Sequence, residues 1–167
     1  RLENIHGERF DLMMPGKHVL INIPRGEHNE KALLRVEAEA RQLGGQCADM
    51  YFQELNITGA WVGKNHTGGL RFQAGHVNDR NMDWEDFGKV SLKVAHGRTK
   101  SGTKYLNFYV KHLGRAGFLV GGLLGEDDHE DAAKPKEACA QRVSLLQNAL
   151  ANSTVVAVFS VAEASLE

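Results

Sequence analysis

The chain has 167 residues, 42% hydrophobic and 25% charged, which suits one ordinary globular domain with a sizeable single core. A formal net charge of −1 provides no strong field of either sign, and this argues against nucleic acid or an anionic membrane as the principal partner. The longest apolar stretches, GFLVGGLL (117–124) and VVAVF (155–159), fall far short of the ~18 residues that a spanning helix requires, so no transmembrane segment is expected.

The chain opens without an initiating Met or an apolar signal segment, so Arg1 is expected to follow an excision point in a longer precursor. The stretch RFDLMMPGKHVLINI (9–23) predicts two short strands joined by a turn at Pro15-Gly16, with Val19, Ile21 and Ile23 alternating toward one face. That is a hairpin. KALLRVEAEARQL (31–43) fits a helix or a strand, and we read it as a strand because alternation is uninterrupted from Leu34 to Arg41. ADMYFQELNITGAWVG (48–63) and GGLRFQAGHV (68–77) continue the β pattern. KVSLKVAHG (89–97) and KYLNFYVKHL (104–113) form the clearest pair, with RTKSGT (98–103) as their turn.

Near the C-terminal end the period changes. KPKEACAQRVSLLQNAL (134–150) places Ala138, Arg142, Leu145, Leu146 and Ala149 at helical intervals, with Pro135 near the first turn. The expected fold is mainly β, an antiparallel β-sandwich or strongly twisted sheets with one C-terminal amphipathic helix. Residues 1–150 then form one domain including that helix, and 151–167 supply a last strand or a linker.

Two cysteines, Cys47 and Cys139, are too few for a disulfide scaffold and too far apart for a CxxC motif, which leaves a single bridge or two reduced thiols. Sequons at Asn56, Asn65 and Asn152 favour an extracellular or lumenal setting, which would permit the bridge. HGRTKSGTK (96–104) lacks the Gly-Lys-Ser/Thr order of a phosphate loop and is followed by a strand pattern, so it is a basic hairpin tip. The eight histidines show neither HxH nor HExxH spacing, and no GxSxG elbow is present. Trp61 and Trp84 suit core anchors or a ligand groove; Trp84, in the polar stretch DRNMDWEDF (79–87), is the candidate surface contact.

GEDDHED (125–131) crowds five carboxylates around His129, and these repel one another unless solvent or a cation screens them. Closely spaced oxygen ligands suit Ca²⁺, although the frame of an EF-hand is missing.

Two stretches together resemble a von Willebrand factor type D domain. RLENIHGERFDLMMPGKHVLI (1–21) is similar to the family's opening pattern through Gly7, Phe10-Asp11, Gly16 and Leu20. GFLVGGLLGEDDHED (117–131) resembles its late glycine turn and acidic stretch through Gly122-Leu123-Leu124-Gly125, with departures at Leu124, Glu126 and His129. The resemblance spans about residues 1 to 140 and implies an all-β fold, an extracellular setting and a structural Ca²⁺ held by Glu126, Asp128 and Asp131. It implies a non-enzymatic adhesion or structural module with protein or extracellular-matrix partners. A carbohydrate-binding module that stacks glycans on Trp61 or Trp84 is the alternative. A hydrolase using the acidic cluster with His129 is the third.

Overall fold

The computed structural model describes residues 1–45, 47–77, 80–137, 139–141, 145, 147–149 and 151. The chain divides into two compact units, Arg1–Lys134 and Pro135–Glu167. In the first unit β1 (Leu2–Glu3) pairs with β2 (Arg9–Phe10) in a two-stranded antiparallel sheet. The remaining strands are β3 (Gly16–Ile23), β4 (Leu34–Gln42), β5 (Met50–Thr58), β6 (Leu70–Gln73), β7 (Met82–Phe87), β8 (Val90–Arg98) and β9 (Lys104–Lys111). They form one antiparallel sheet of seven strands in the order β3-β4-β5-β9-β8-β7, with β6 attached to β5. Two short helices, α1 (Ala60–Gly63) and α2 (Glu130–Ala133), complete these elements.

The alternation of β4 decides its placement. Leu34, Val36, Ala38 and Ala40 are buried, while Arg35, Glu37, Glu39 and Arg41 take the opposite face. β8 and β9 pair without interruption from Ser91↔Lys111 to Arg98↔Lys104, and the Thr99 N–H donates to the Thr103 carbonyl at 2.9 Å in the tip between them. β5 meets β9 only at Phe52↔Leu106, yet side chains of β3, β4 and β5 share one core with Phe87, Val90, Leu92 and Val94. Both halves of the sheet therefore bury their apolar faces together.

Two expectations change. β2 and β3 do not pair with each other; β2 joins β1 and β3 joins β4, because alternation within a strand identifies its buried face and leaves its partner open. Ala-Trp-Val-Gly continues β5 only in sequence: after Gly59 the chain turns into α1, whose Trp61 N–H donates to the Leu33 carbonyl at 2.9 Å. Over the expected C-terminal helix the described residues 137, 139–141, 145, 147–149 and 151 are helical, whereas α1 and α2 have four residues each. Leu145, on the expected apolar stripe, is 67% exposed, and Cys139 is buried. The last strand or linker expected over 151–167 lies, beyond residue 151, outside the described residues.

The outer face of β5 and β6 carries a charge cluster centred on Glu54. Arg71 Nη2 reaches Glu54 Oε2 at 2.9 Å, Asn56 Nδ2 donates to Oε1 at 2.8 Å, and Gln73 Nε2 donates to Oε2 at 3.1 Å. The Arg71 guanidinium first, and then the Asn56 amide, lower the Glu54 carboxyl from 4.5 to about 2. A carboxylate lowered on folding contributes its full stabilisation above its unfolded pKa and loses it as the pH falls toward the folded value. After solvent screening, the contribution is about 1–2 kcal/mol. Urea titrations from pH 5 down to pH 2 should show a shallower loss of stability for Glu54→Gln than for the parent.

Candidate functional site

β3 ends the large sheet, so one of its edges needs a cover. The turn after Leu119 provides it. The Asn22 N–H donates to the Gly121 carbonyl at 2.9 Å, the Gly121 N–H returns to Asn22 at 2.8 Å, and the Leu124 N–H donates to Leu20 at 3.0 Å. Val120 and Leu124 are buried beneath this cover. Gly122 has φ +89°, and a Cβ there would lie 2.5 Å from the Leu20 carbonyl oxygen. Only glycine permits so close an approach at this φ.

The acidic residues that follow point to separate partners. Glu126 Oε2 lies 3.0 Å from His6 Nε2. Asp127 accepts the Gly122 N–H and pairs through Oδ1 with Arg25 Nε at 2.8 Å. Asp128 accepts the Glu130 N–H at 2.8 Å, at the start of α2, and Asp131 meets Lys134 Nζ at 2.9 Å. The Lys134 ammonium holds the Asp131 carboxyl below its ordinary range. His129 stacks on Phe10, with ring centroids 4.1 Å apart and planes 23° from parallel.

Among the described residues no group of three His, Cys, Asp or Glu side chains is placed to hold a metal ion. Glu126, Asp128 and Asp131, the ligands that the resemblance implies, each engage a different local partner in this arrangement. The residue that does the structural work is Asp127, whose role spacing could not distinguish among five neighbouring carboxylates. Its pair with Arg25 is roughly half exposed and adds little, whereas its charge-assisted bond to Gly122 holds the covering turn. Asp127→Ala should therefore cost about 2 kcal/mol in urea unfolding and Asp128→Ala less than about 1 kcal/mol. Melts in excess Ca²⁺ and in chelator should superimpose.

Cys47 and Cys139 are joined in a disulfide. Asn56 sits within β5, paired on both sides with β4 and β6, and its amide nitrogen is engaged by Glu54. Asn65 is exposed in the turn after α1. Asn152 lies outside the described residues.

Trp61 and Trp84 separate clearly. Trp61 packs near Phe118 and against Gly88, where a Cβ would come within 2.7 Å of the indole. Trp84 is 39% exposed on β7, at the other end of the sheet. From Met82↔Val94 to Glu85↔Leu92, three steps on β7 face two on β8, so a bulge turns Trp84 outward. The Lys111 ammonium lies 3.8 Å from its ring centroid. The neighbouring Asp83 accepts the Trp84 N–H at 2.9 Å and meets Lys93 at 3.3 Å; these two contacts, in that order, lower its carboxyl.

Trp84 borders a cleft of about 730 Å³ whose lining includes His66, Arg71, Gln73, Asn81 and Glu85. Across it His66 Nε2 lies 2.7 Å from Glu85 Oε1. Sequence reading missed β7 as a strand, together with this His66–Glu85 contact. MDWEDF carries three acids and a bulge, which break the alternation by which strands are recognised.

Compared with family models, with curated proteins and with solved structures, the chain finds no match in any of the three. Among the described residues no helix is long and apolar enough to cross a membrane. The disulfide suggests an oxidising compartment.

Proposed function

We propose that this chain is a non-enzymatic structural and adhesion module of a secreted or surface protein. One observation carries the reading: the two segments that resemble a type D domain, about a hundred residues apart in sequence, bind each other directly. The Ile5 N–H donates to the Leu124 carbonyl at 2.9 Å, His6 meets Glu126, Phe10 stacks on His129, and the Met13 N–H donates to Ala132 at 2.8 Å. Of the acidic stretch and its histidine, Glu126 and His129 are engaged in joining the two segments. The disulfide favours an oxidising, extracellular setting. Partners of this module are matrix or cell-surface proteins.

The test is expression through a eukaryotic secretory pathway, followed by binding of the purified protein to a decellularised matrix. The expected product is secreted, folded and retained by the matrix until heat denatures it. Its glycosidase-sensitive mass should fall in Asn65→Gln and remain unchanged in Asn56→Gln, because Asn65 is presented on an exposed turn and Asn56 lies within β5. A folded, secreted product that washes off the matrix would overturn the adhesion reading.

A further inference from the structure

We infer that the cleft lined by β6 and β7 is a carbohydrate-binding site, with Trp84 as its stacking face. The inference goes beyond the module reading and does not depend on the compartment, since it rests on the cleft alone. Its volume of about 730 Å³ falls within the ~300–1,000 Å³ of small-molecule sites. Phe72 and Trp84 are the large apolar aromatic side chains of the lining, and Trp84, turned out by the β7 bulge, is the exposed one.

The ring is also held in place. Lys111 lies over the indole and Asp83 takes the backbone N–H of the same residue, so less conformational freedom remains to be lost on binding. Around it stand Arg71, Gln73, Asn81, Asp83 and Glu85, with donors and acceptors of both signs. Arg71 and Arg80 balance Asp83 and Glu85 in the lining, so the cleft has no excess formal charge suited to a phosphate or a polycation. An apolar ligand would leave the polar rim unpaired. A neutral sugar offers what this lining asks for, an apolar C–H face for the indole and a rim of hydroxyls for planar carboxylate, amide and guanidinium groups.

The experiment titrates the purified chain with soluble neutral oligosaccharides of glucose, mannose, galactose and N-acetylglucosamine, using calorimetry and tryptophan fluorescence. At least one should bind, with little dependence on salt. Trp84→Ala should weaken binding by about tenfold or more while the melting temperature stays close to the parent's. Trp84→Phe keeps an aromatic face and should retain part of the affinity. It leaves Trp61 as the sole tryptophan, so the ligand-induced fluorescence change should vanish. Three results would overturn the inference: no binding of any probe by protein with a native melt, undiminished binding by a folded Trp84→Ala variant, or binding confined to sulfated or otherwise anionic oligosaccharides.

Discussion

Gly122→Ala should melt roughly 10 °C below the parent, a large effect for a single added methyl group. Two costs combine at this position. A side chain at φ +89° is strained by about 1–3 kcal/mol wherever it occurs. The new Cβ would also meet the Leu20 carbonyl oxygen at 2.5 Å and the Ile21 nitrogen at 2.8 Å, and both belong to the β3 backbone, which cannot rotate away as a flexible side chain would. Relief requires the covering turn to lift from the edge of β3, which breaks its bonds at Val19, Leu20 and Asn22. A total of about 3–5 kcal/mol follows. Two controls separate the causes. Gly7→Ala carries the positive φ (+79°) with nothing within 4 Å and should cost only the conformational part, about 1 kcal/mol. Gly114→Ala has neither feature and should be nearly neutral. Equal melts for Gly122→Ala and Gly7→Ala would show that the close approach to β3 contributes nothing.

Much of this architecture is legible in the sequence because burial leaves a period behind. β4 was identified against a competing helix by eight residues of strict alternation, and the structure buries the apolar members of that pattern. The β8–β9 pair was legible because its turn is short and its strands alternate. Pairing is a different matter. Residues 9–23 contain two strands, as the alternation indicates, but each joins a strand elsewhere, and hydrophobic pattern alone holds no information on partners.

The candidate site shows the same division. The exposure of Trp84 is legible in its polar neighbours, and the structure places it at the border of a cleft. The division of labour among Glu126, Asp127, Asp128 and Asp131 was not recognisable. It depends on which of them faces Arg25 and the Gly122 N–H, and five adjacent carboxylates look alike in one dimension. The bond between Cys47 and Cys139 was one of two open outcomes, since two distant cysteines in sequence do not reveal whether they meet.

That bond makes the second large prediction. Joining residues about 90 apart removes loop-closure entropy from the unfolded chain, and in the chain-entropy model this stabilises the fold by about 4 kcal/mol. Reduction, or the paired change Cys47→Ser with Cys139→Ser, should lower the unfolding free energy by about that amount, and the urea midpoint with it, while the native far-ultraviolet spectrum is retained. The denaturant dependence should steepen, because the reduced unfolded chain expands and exposes more surface. Alkylation before unfolding should label neither thiol, and alkylation after reduction should label both. A midpoint that ignores reductant would mean that the bridge constrains nothing. The consequence reaches the compartment as well. A loss of about 4 kcal/mol is a large part of the 5–15 kcal/mol that holds most domains together. In a reducing cytosol the chain would therefore keep a far thinner margin than in a secretory lumen, where the bond persists. Expressed in both settings, the same sequence should accumulate as folded protein mainly in the oxidising one, and equal yields would remove the disulfide as an argument for secretion.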